Sequence, residues 1–405
     1  MNCVRLRIKT LSPVHVGTGE VYEPTEFFVH PERYLGVLDF EKFIAHFTER
    51  ELLAFKHLCG QGTLESLVKL YILVDGLAQR YLKQGIDDFT KRRISLCQGF
   101  ISHYKKIQNL RNNPQQLKRE FNRFTIQRTA FSPNEEVPII PGSAVKGAIR
   151  TAVLNNRRFK VQGKSWRDYC QQRNPHRPPR CDSKQLESEI LRYPKFKFQY
   201  DPFRLVKVSD FRPVEEVKTR IVYAVNRKKG GGQARGPYQI LEVVEPGAVF
   251  EGEITLLEPE EHKDAPKTRV DFKEIREALK NFYGRESERE FDEVKKIGGN
   301  IPVFSEGGFP LRVGRHSGAE CVTIEGFRHI LVRGPTGRNT YQDHATTLWL
   351  ASEFPHTNSA SGLKPFGWCV LYEAEKDLNA SKEHHSPQLD VSKLGSRFKL
   401  VVKKK

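Results

Sequence analysis

Acidic residues are in short supply. Against 67 Lys and Arg, the 405-residue chain sets only 49 Asp and Glu, giving a formal net charge of +18. The sequence pI is near 9.5. That balance disfavours a basic partner and points to a polyanion, with nucleic acid ahead of a membrane surface. Long apolar runs are missing too. No stretch approaches the roughly 18 apolar residues of a membrane span. Residues 1–9 read as an amphipathic strand, with apolar and basic side chains alternating from Val4 to Lys9, instead of a secretory leader. The expectation is a cytoplasmic protein with no membrane partner.

The seven cysteines are odd in number and scattered, with no Cys-x-x-Cys pair. That excludes the usual zinc-ribbon and dithiol redox spacings. Cys170, His176 and Cys181 share one segment, but a tetrahedral metal site needs a fourth ligand. Reduced, structural thiols are expected, with no metal and no cofactor.

The most informative stretch is Ile-Ile-Pro-Gly-Ser-Ala-Val-Lys-Gly-Ala-Ile-Arg-Thr at 139–151. Pro141 and Gly142 break the chain, and Ser143 suits the N-cap of a helix over 144–154. A helix N-terminus presents unpaired amides and a partial positive charge. Lys146 and Arg150, four apart, share one helix face. The combination predicts a seat for a phosphate backbone. It is not a Walker A loop, which would end in Gly-Lys-Ser/Thr. An ordinary capped helix with two solvated cations is the plainer alternative.

Residues 4–8 alternate as a strand with one basic face. Residues 11–19, Leu-Ser-Pro-Val-His-Val-Gly-Thr-Gly, form a loop holding His15 and Gly17. A hairpin is expected over 26–38, then a helix over 40–47 capped by Asp39. The pattern stays helical to about 125, and 91–128 carries little strand signal. Residues 155–184 are polar, basic and proline-rich and read as a surface excursion. Strands are expected at 205–208, 220–225, 238–244, 249–256, 321–324 and 346–350, and a helix at 272–282. The glycine-rich tip between 225 and 238 carries Arg227, Lys228, Lys229 and Arg235. Residues 311–318 hold Arg315 and His316, and a glycine-bounded turn at 362–367 leads into a final apolar strand. A coarse duplication of strand, loop and helix suggests two α+β modules, each with an antiparallel sheet.

Four of these blocks carry a resemblance. Leu-Ser-Pro-Val-His-Val-Gly-Thr-Gly, Ile-Pro-Gly-Ser-Ala-Val-Lys-Gly-Ala-Ile-Arg-Thr-Ala, Leu-Arg-Val-Gly-Arg-His-Ser-Gly-Ala-Glu and Lys-Pro-Phe-Gly-Trp-Cys-Val-Leu are similar to signature blocks of the CRISPR RAMP proteins. Their order and spacing most resemble the type III-A subunit that caps the 3′ end of the CRISPR RNA in Csm effector complexes. The resemblance spans most of the chain and is weakest over 41–125 and 155–184. It implies an α+β fold of two ferredoxin-like (RRM-like) modules. These would be 1–238, with the helical insertion at about 41–125 and the basic loop at about 155–184, and 239–405. It also implies CRISPR RNA binding, assembly with the backbone RAMP subunit and the small subunit, and a part in guide maturation and antiviral defence. Target RNA and a host trimming nuclease are further expected partners. The family's glycine-rich loop maps onto Gly362 and Gly367, but Leu363, Lys364, Pro365 and Phe366 fill its interior here.

Relatives that cut CRISPR repeats use a histidine as general acid or base. The matching alternative is a metal-independent endoribonuclease with His15 or His316 moving the proton and Arg315 stabilising phosphorane charge. A metal-dependent nuclease would need clustered carboxylates; Asp201, Asp210, Glu215 and Glu216 lack motif spacing. The loop 11–19 has no aspartate of the kind that backbone subunits use to cut target RNA. The reading is therefore a non-catalytic RNA-binding scaffold contacting phosphates or partners through His15, Gly17, Gly142, Ser143, Lys146, Arg150, Arg227, Lys228, Lys229, Arg235, Arg315 and His316. A protein-only adaptor that recruits a nuclease is a third class.

Overall fold

The alternating strand at the start of the chain lies at the centre of a sheet, not at its edge. In the computed structural model, Asn2–Thr10 pairs with Val249–Leu256 on one side and Trp368–Glu373 on the other. Residues 2–374 are described, except 111–112, 122–123, 134, 172–179, 235, 260–264, 305–306 and 334–338. Leu6 and Ile8 turn inward, while Arg7 on the other face meets Glu251 at 2.8 Å. Arg212–Pro213 and Val206–Val208 extend the sheet beside Val249–Leu256, and Phe309–Arg312 extends it beside Trp368–Glu373. Every pairing in this sheet is antiparallel.

Two helices cover it. In Gly142–Asn156, Val145, Ala148, Ile149, Ala152 and Val153 are buried at helical spacing. Phe272–Lys296 starts where Asp271 accepts from the Glu274 amide at 2.8 Å. Its buried stripe continues past residue 282 through Glu286 and Glu290, so the helix outruns its apolar pattern.

The second sheet has nine strands, in the order Gly17–Tyr22, Ile126–Thr129, Gln239–Val244, Thr219–Lys228, Thr90–Leu96, Tyr34–Leu38 and Phe27–Val29, with Thr347–Ser352 also on Thr219–Lys228 and Lys364–Pro365 on Thr347–Ser352. It is mixed, not antiparallel throughout. Thr219–Lys228 runs parallel to Thr90–Leu96, and Gln239–Val244 runs parallel to Ile126–Thr129. Tyr71, Phe100, Tyr104, Phe124, Tyr223 and Leu350 share its core with helices Leu64–Lys83 and Gln98–Asn109. Both sheets take strands from either side of the boundary expected at 238/239, which itself falls inside the Thr219–Lys228/Gln239–Val244 hairpin.

Several local expectations change. Thr90–Leu96 and Ile126–Thr129 are strands within the stretch read as helical. Ile94 and Leu96 alternate inward, but Lys91, Arg92 and Arg93 hide the period. Residues 320–322 form one 3-10 turn instead of a strand. The 155–184 region holds 3-10 turns and the start of helix Ser183–Leu191, capped by Asp182. Cys170 and Cys181 are joined by a disulfide between two paired short strands, not reduced as expected. His176 lies outside the described residues.

Candidate nucleic-acid interface

Three of the four sequence blocks meet at one place. The Leu11 amide donates to the Trp368 carbonyl, the Gly367 amide to Pro13, the Val313 amide to Gly367 and the Arg315 amide to His15, at 2.8–2.9 Å. The glycines make this close approach possible. At Gly367 (φ 81°) a Cβ would lie 2.3 Å from the Val313 carbonyl oxygen, and at Gly314 (φ 87°) 2.4 Å from that of His15. Gly367 therefore faces the protein's own backbone. The fourth block joins the first sheet elsewhere, through the bridge from Ile140 to Phe211.

This junction sets His15, Arg315 and His316 side by side. His15 is fully buried, and its Nδ1 lies 2.7 Å from the Glu242 carbonyl oxygen. A carbonyl only accepts, so Nδ1 carries the proton and Nε2 is the bare acceptor. Burial lowers the His15 pKa, reinforced by nearby Arg315, against the pull of that backbone bond. Among the described residues Nε2 has no partner. The Glu242 side chain beneath is also fully buried; it pairs with Arg92 and accepts from the Tyr22 hydroxyl at 3.1 Å.

His15 and Arg315 line a groove of about 900 Å³ over one end of the mixed sheet. Gly17, Gly19, Glu20, Gln127, Arg128, Tyr238 and His356 also line it. Arg315 donates to the Gln127 side chain. Arg128 meets the exposed Glu20 at 3.2 Å and lies over the Tyr22 and Phe131 rings. Two arginines, an aromatic ring and two histidines thus share one open concavity. Charge and stacking of this kind bind single-stranded nucleic acid without reading bases.

His316 belongs to the wall behind. It adopts φ 62°, stacks on Trp349 at 4.7 Å and places Nε2 3.2 Å from Gln239 Oε1. Burial first, then Arg315, brings its pKa down to about 3. The ring is therefore neutral at neutral pH, its one proton on Nε2 towards Gln239, with no imidazolium proton to give as a general acid.

The other expected residues lie away from the groove. Ser143 does not cap its helix; Pro141 holds the N-cap position, and the Gly142 amide donates to Asp210 Oδ1 at 2.8 Å. Lys146 Nζ donates to the Val206 carbonyl at 2.8 Å. Arg150 forks onto Glu187 and Asp201. The helix end expected to seat phosphate is thus filled by the protein itself. At the hairpin tip, Arg227 is 3% exposed and donates to the Thr357 and Asn358 carbonyls. Lys229 is paired at 2.8 Å with both Glu293 and Glu320. Lys228 is exposed; Arg235 lies outside the described residues. Among the described residues no group of three or more His, Cys, Asp or Glu is placed to hold a metal ion.

Gln127, Arg128, Tyr238 and His356 were not singled out in sequence. Arg128 follows Gln127 in a strand too short for a periodic signal, and the segments of Tyr238 and His356 are distant in sequence.

An α+β fold with an antiparallel sheet, a mixed sheet and a cationic groove between distant loops defines the class of molecule. The RAMP superfamily model matches residues 7–304, and the chain belongs to that superfamily. Comparison with curated proteins finds no match. Among solved structures, the fold is similar to a chain of a "Csm-crRNA-target RNA ternary complex in type III-A CRISPR-Cas system" determined by cryo-EM. The TM-score is 0.54 and the identity 22%, covering 91% of this chain and 100% of that one. A second match is the crystal structure of T. onnurineus Csm5, with TM-score 0.48, 18% identity, and 90% and 99% coverage. Among the described residues no helix is long and apolar enough to cross a membrane.

Proposed function

We propose that this chain is an RNA-binding subunit of a type III-A CRISPR effector complex that caps the 3′ end of the guide and holds it in the groove between Arg128 and Arg315. The observation that carries the reading is the convergence of three sequence blocks on a groove bearing two arginines, Tyr238 and His356. Membership of the RAMP superfamily and the fold likeness to a chain of a Csm–crRNA–target RNA complex support it. The backbone RAMP subunit, the small subunit, target RNA and a trimming nuclease are its proposed partners. Lys146, Arg150, Arg227 and Lys229 are left out of the RNA surface, because none lines the groove and each is committed to an internal partner.

The role is non-catalytic. Cleavage through a ribose hydroxyl needs a base and an acid for the leaving oxygen. His15 could serve only as the base, and His316 is a neutral imidazole at neutral pH.

The test is end-labelled CRISPR RNA incubated with purified protein, with and without chelator, and run on native and denaturing gels. The expected result is intact RNA with a native shift that weakens as salt rises. Discrete products lost in His15→Ala would replace the scaffold with the endoribonuclease.

A further inference from the structure

His15 Nε2 is a buried acceptor at the wall of a groove otherwise equipped for phosphate. It has no partner among the described residues, and its proton sits on Nδ1. His15 and Gly17 both line the groove, and Gly17 stands next to Nε2. A Cβ built at Gly17 would lie 3.1 Å from Nε2, with the next contact, His15 Cδ2, at 3.8 Å. Gly17 is not among the glycines with positive φ, so its backbone does not require glycine. A side chain at this position would crowd the ring nitrogen from the groove side, and glycine leaves that narrow approach, the Gly17 window, unfilled. Leaving such a buried polar atom unpaired is costly, so the arrangement invites a donor from the groove.

The donor's chemistry follows from the neighbours. Arg128 and Arg315 line the same groove and attract a phosphodiester chain. A phosphate oxygen cannot donate at neutral pH, so it cannot satisfy Nε2. Within a nucleic-acid chain the ribose 2′-hydroxyl is the only backbone donor, and DNA has none there; a terminal 3′-hydroxyl is common to both and would give no sugar preference. Base amines could also donate, but then binding would follow sequence.

On the reading that the groove holds RNA, we propose that His15 Nε2 accepts a hydrogen bond from a ribose 2′-hydroxyl through the Gly17 window and makes the groove select RNA over DNA. His15 then acts as a specificity residue. No bond is broken, and the proton stays on the ribose oxygen.

The experiment measures binding of the full chain to labelled single-stranded RNA and to DNA of matching sequence at one salt concentration. It uses oligo(A), oligo(C) and uridine/deoxyuridine pairs, with wild type, Gly17→Ala, His15→Ala and Arg128→Ala/Arg315→Ala. Wild type is expected to favour RNA by about tenfold, the value of one good hydrogen bond, equally for all three bases. Gly17→Ala keeps His15 and its bond to Glu242 but closes the window. It should bring the ratio of RNA to DNA affinity to about one; His15→Ala should abolish the preference as well. Equal wild-type affinity for RNA and DNA, a preference that follows the base, or a Gly17→Ala variant that keeps the preference overturns the proposal. Loss of binding in the double arginine variant with no sugar preference in wild type would sink this inference alone. Unchanged binding in that variant would sink the groove reading itself.

Discussion

Asp210 Oδ1 accepts the amide hydrogen of Gly142 at 2.8 Å, so a carboxylate already sits at the helix end where a phosphate was expected. A Cβ at Gly142 would lie 2.4 Å from the Val208 carbonyl oxygen, which leaves no room for a ligand on that side. Asp210→Ala should therefore lower stability by about 1 kcal/mol, the usual cost of a lost helix cap. Denaturant unfolding measures it. Lys146→Ala should leave the salt dependence of RNA binding unchanged, since that ammonium already serves the Val206 carbonyl.

Arg312 and Glu290 form an ion pair at 2.8 Å with side chains 0% and 3% exposed, and Trp368 Nε1 donates to the same carboxylate at 2.6 Å. The pair ties helix Phe272–Lys296 to the segment that carries Arg315. Arg312→Met should cost about 3–5 kcal/mol, because it strands a buried charge. Adding Glu290→Met should recover part of that loss. A double variant no more stable than the single one would contradict this account.

Glu320 links the hairpin tip to the same helix and predicts a pH dependence. Burial pushes its pKa up, but the hydrogen bond from Lys229 and the charge of Arg289 outweigh burial and hold it at about 2. An unfolded glutamate titrates near ~4.3. The folded value is the lower one, so this contribution is full above the unfolded value and is lost as pH falls towards 2. Lys229→Met should be less stable than wild type at pH 7, with the gap narrowing between about pH 4 and 2. Urea titrations across that range provide the measurement.

The Cys170–Cys181 disulfide predicts a thiol count. Cys3, Cys59, Cys97, Cys321 and Cys369 are free. Alkylation after denaturation without reductant should label these five, and all seven cysteines of the chain after reduction. Cys170→Ser should bring the reduced count to six and the unreduced count to six.

Elements whose information is local were legible from sequence. Residues 4–8 alternate and form part of Asn2–Thr10; Asp39 caps its helix, accepting from the Lys42 amide. The helix after Pro141 follows from its apolar spacing. What was hidden depends on distant partners. Lys91, Arg92 and Arg93 mask the strand Thr90–Leu96, whose place is set by parallel pairing with Thr219–Lys228. Arg227 and Lys229 look like solvated cations on a glycine-rich tip, yet carbonyls near 357 and carboxylates at 293 and 320 claim them. His15 and Arg315 stand in separate blocks of the sequence. Their juxtaposition through the Arg315 amide and His15 carbonyl, 300 positions apart in chain order, comes only from the fold.

The central claim is that RNA phosphates lie in the groove between Arg128 and Arg315. Its most direct measurement is the affinity for single-stranded guide RNA over a series of salt concentrations, in wild type and in Arg128→Ala/Arg315→Ala. The account predicts weaker binding for all sequences and a log–log slope shallower by about 0.7 for each lost phosphate contact. A slope identical to wild type would contradict it and place the RNA elsewhere on the protein.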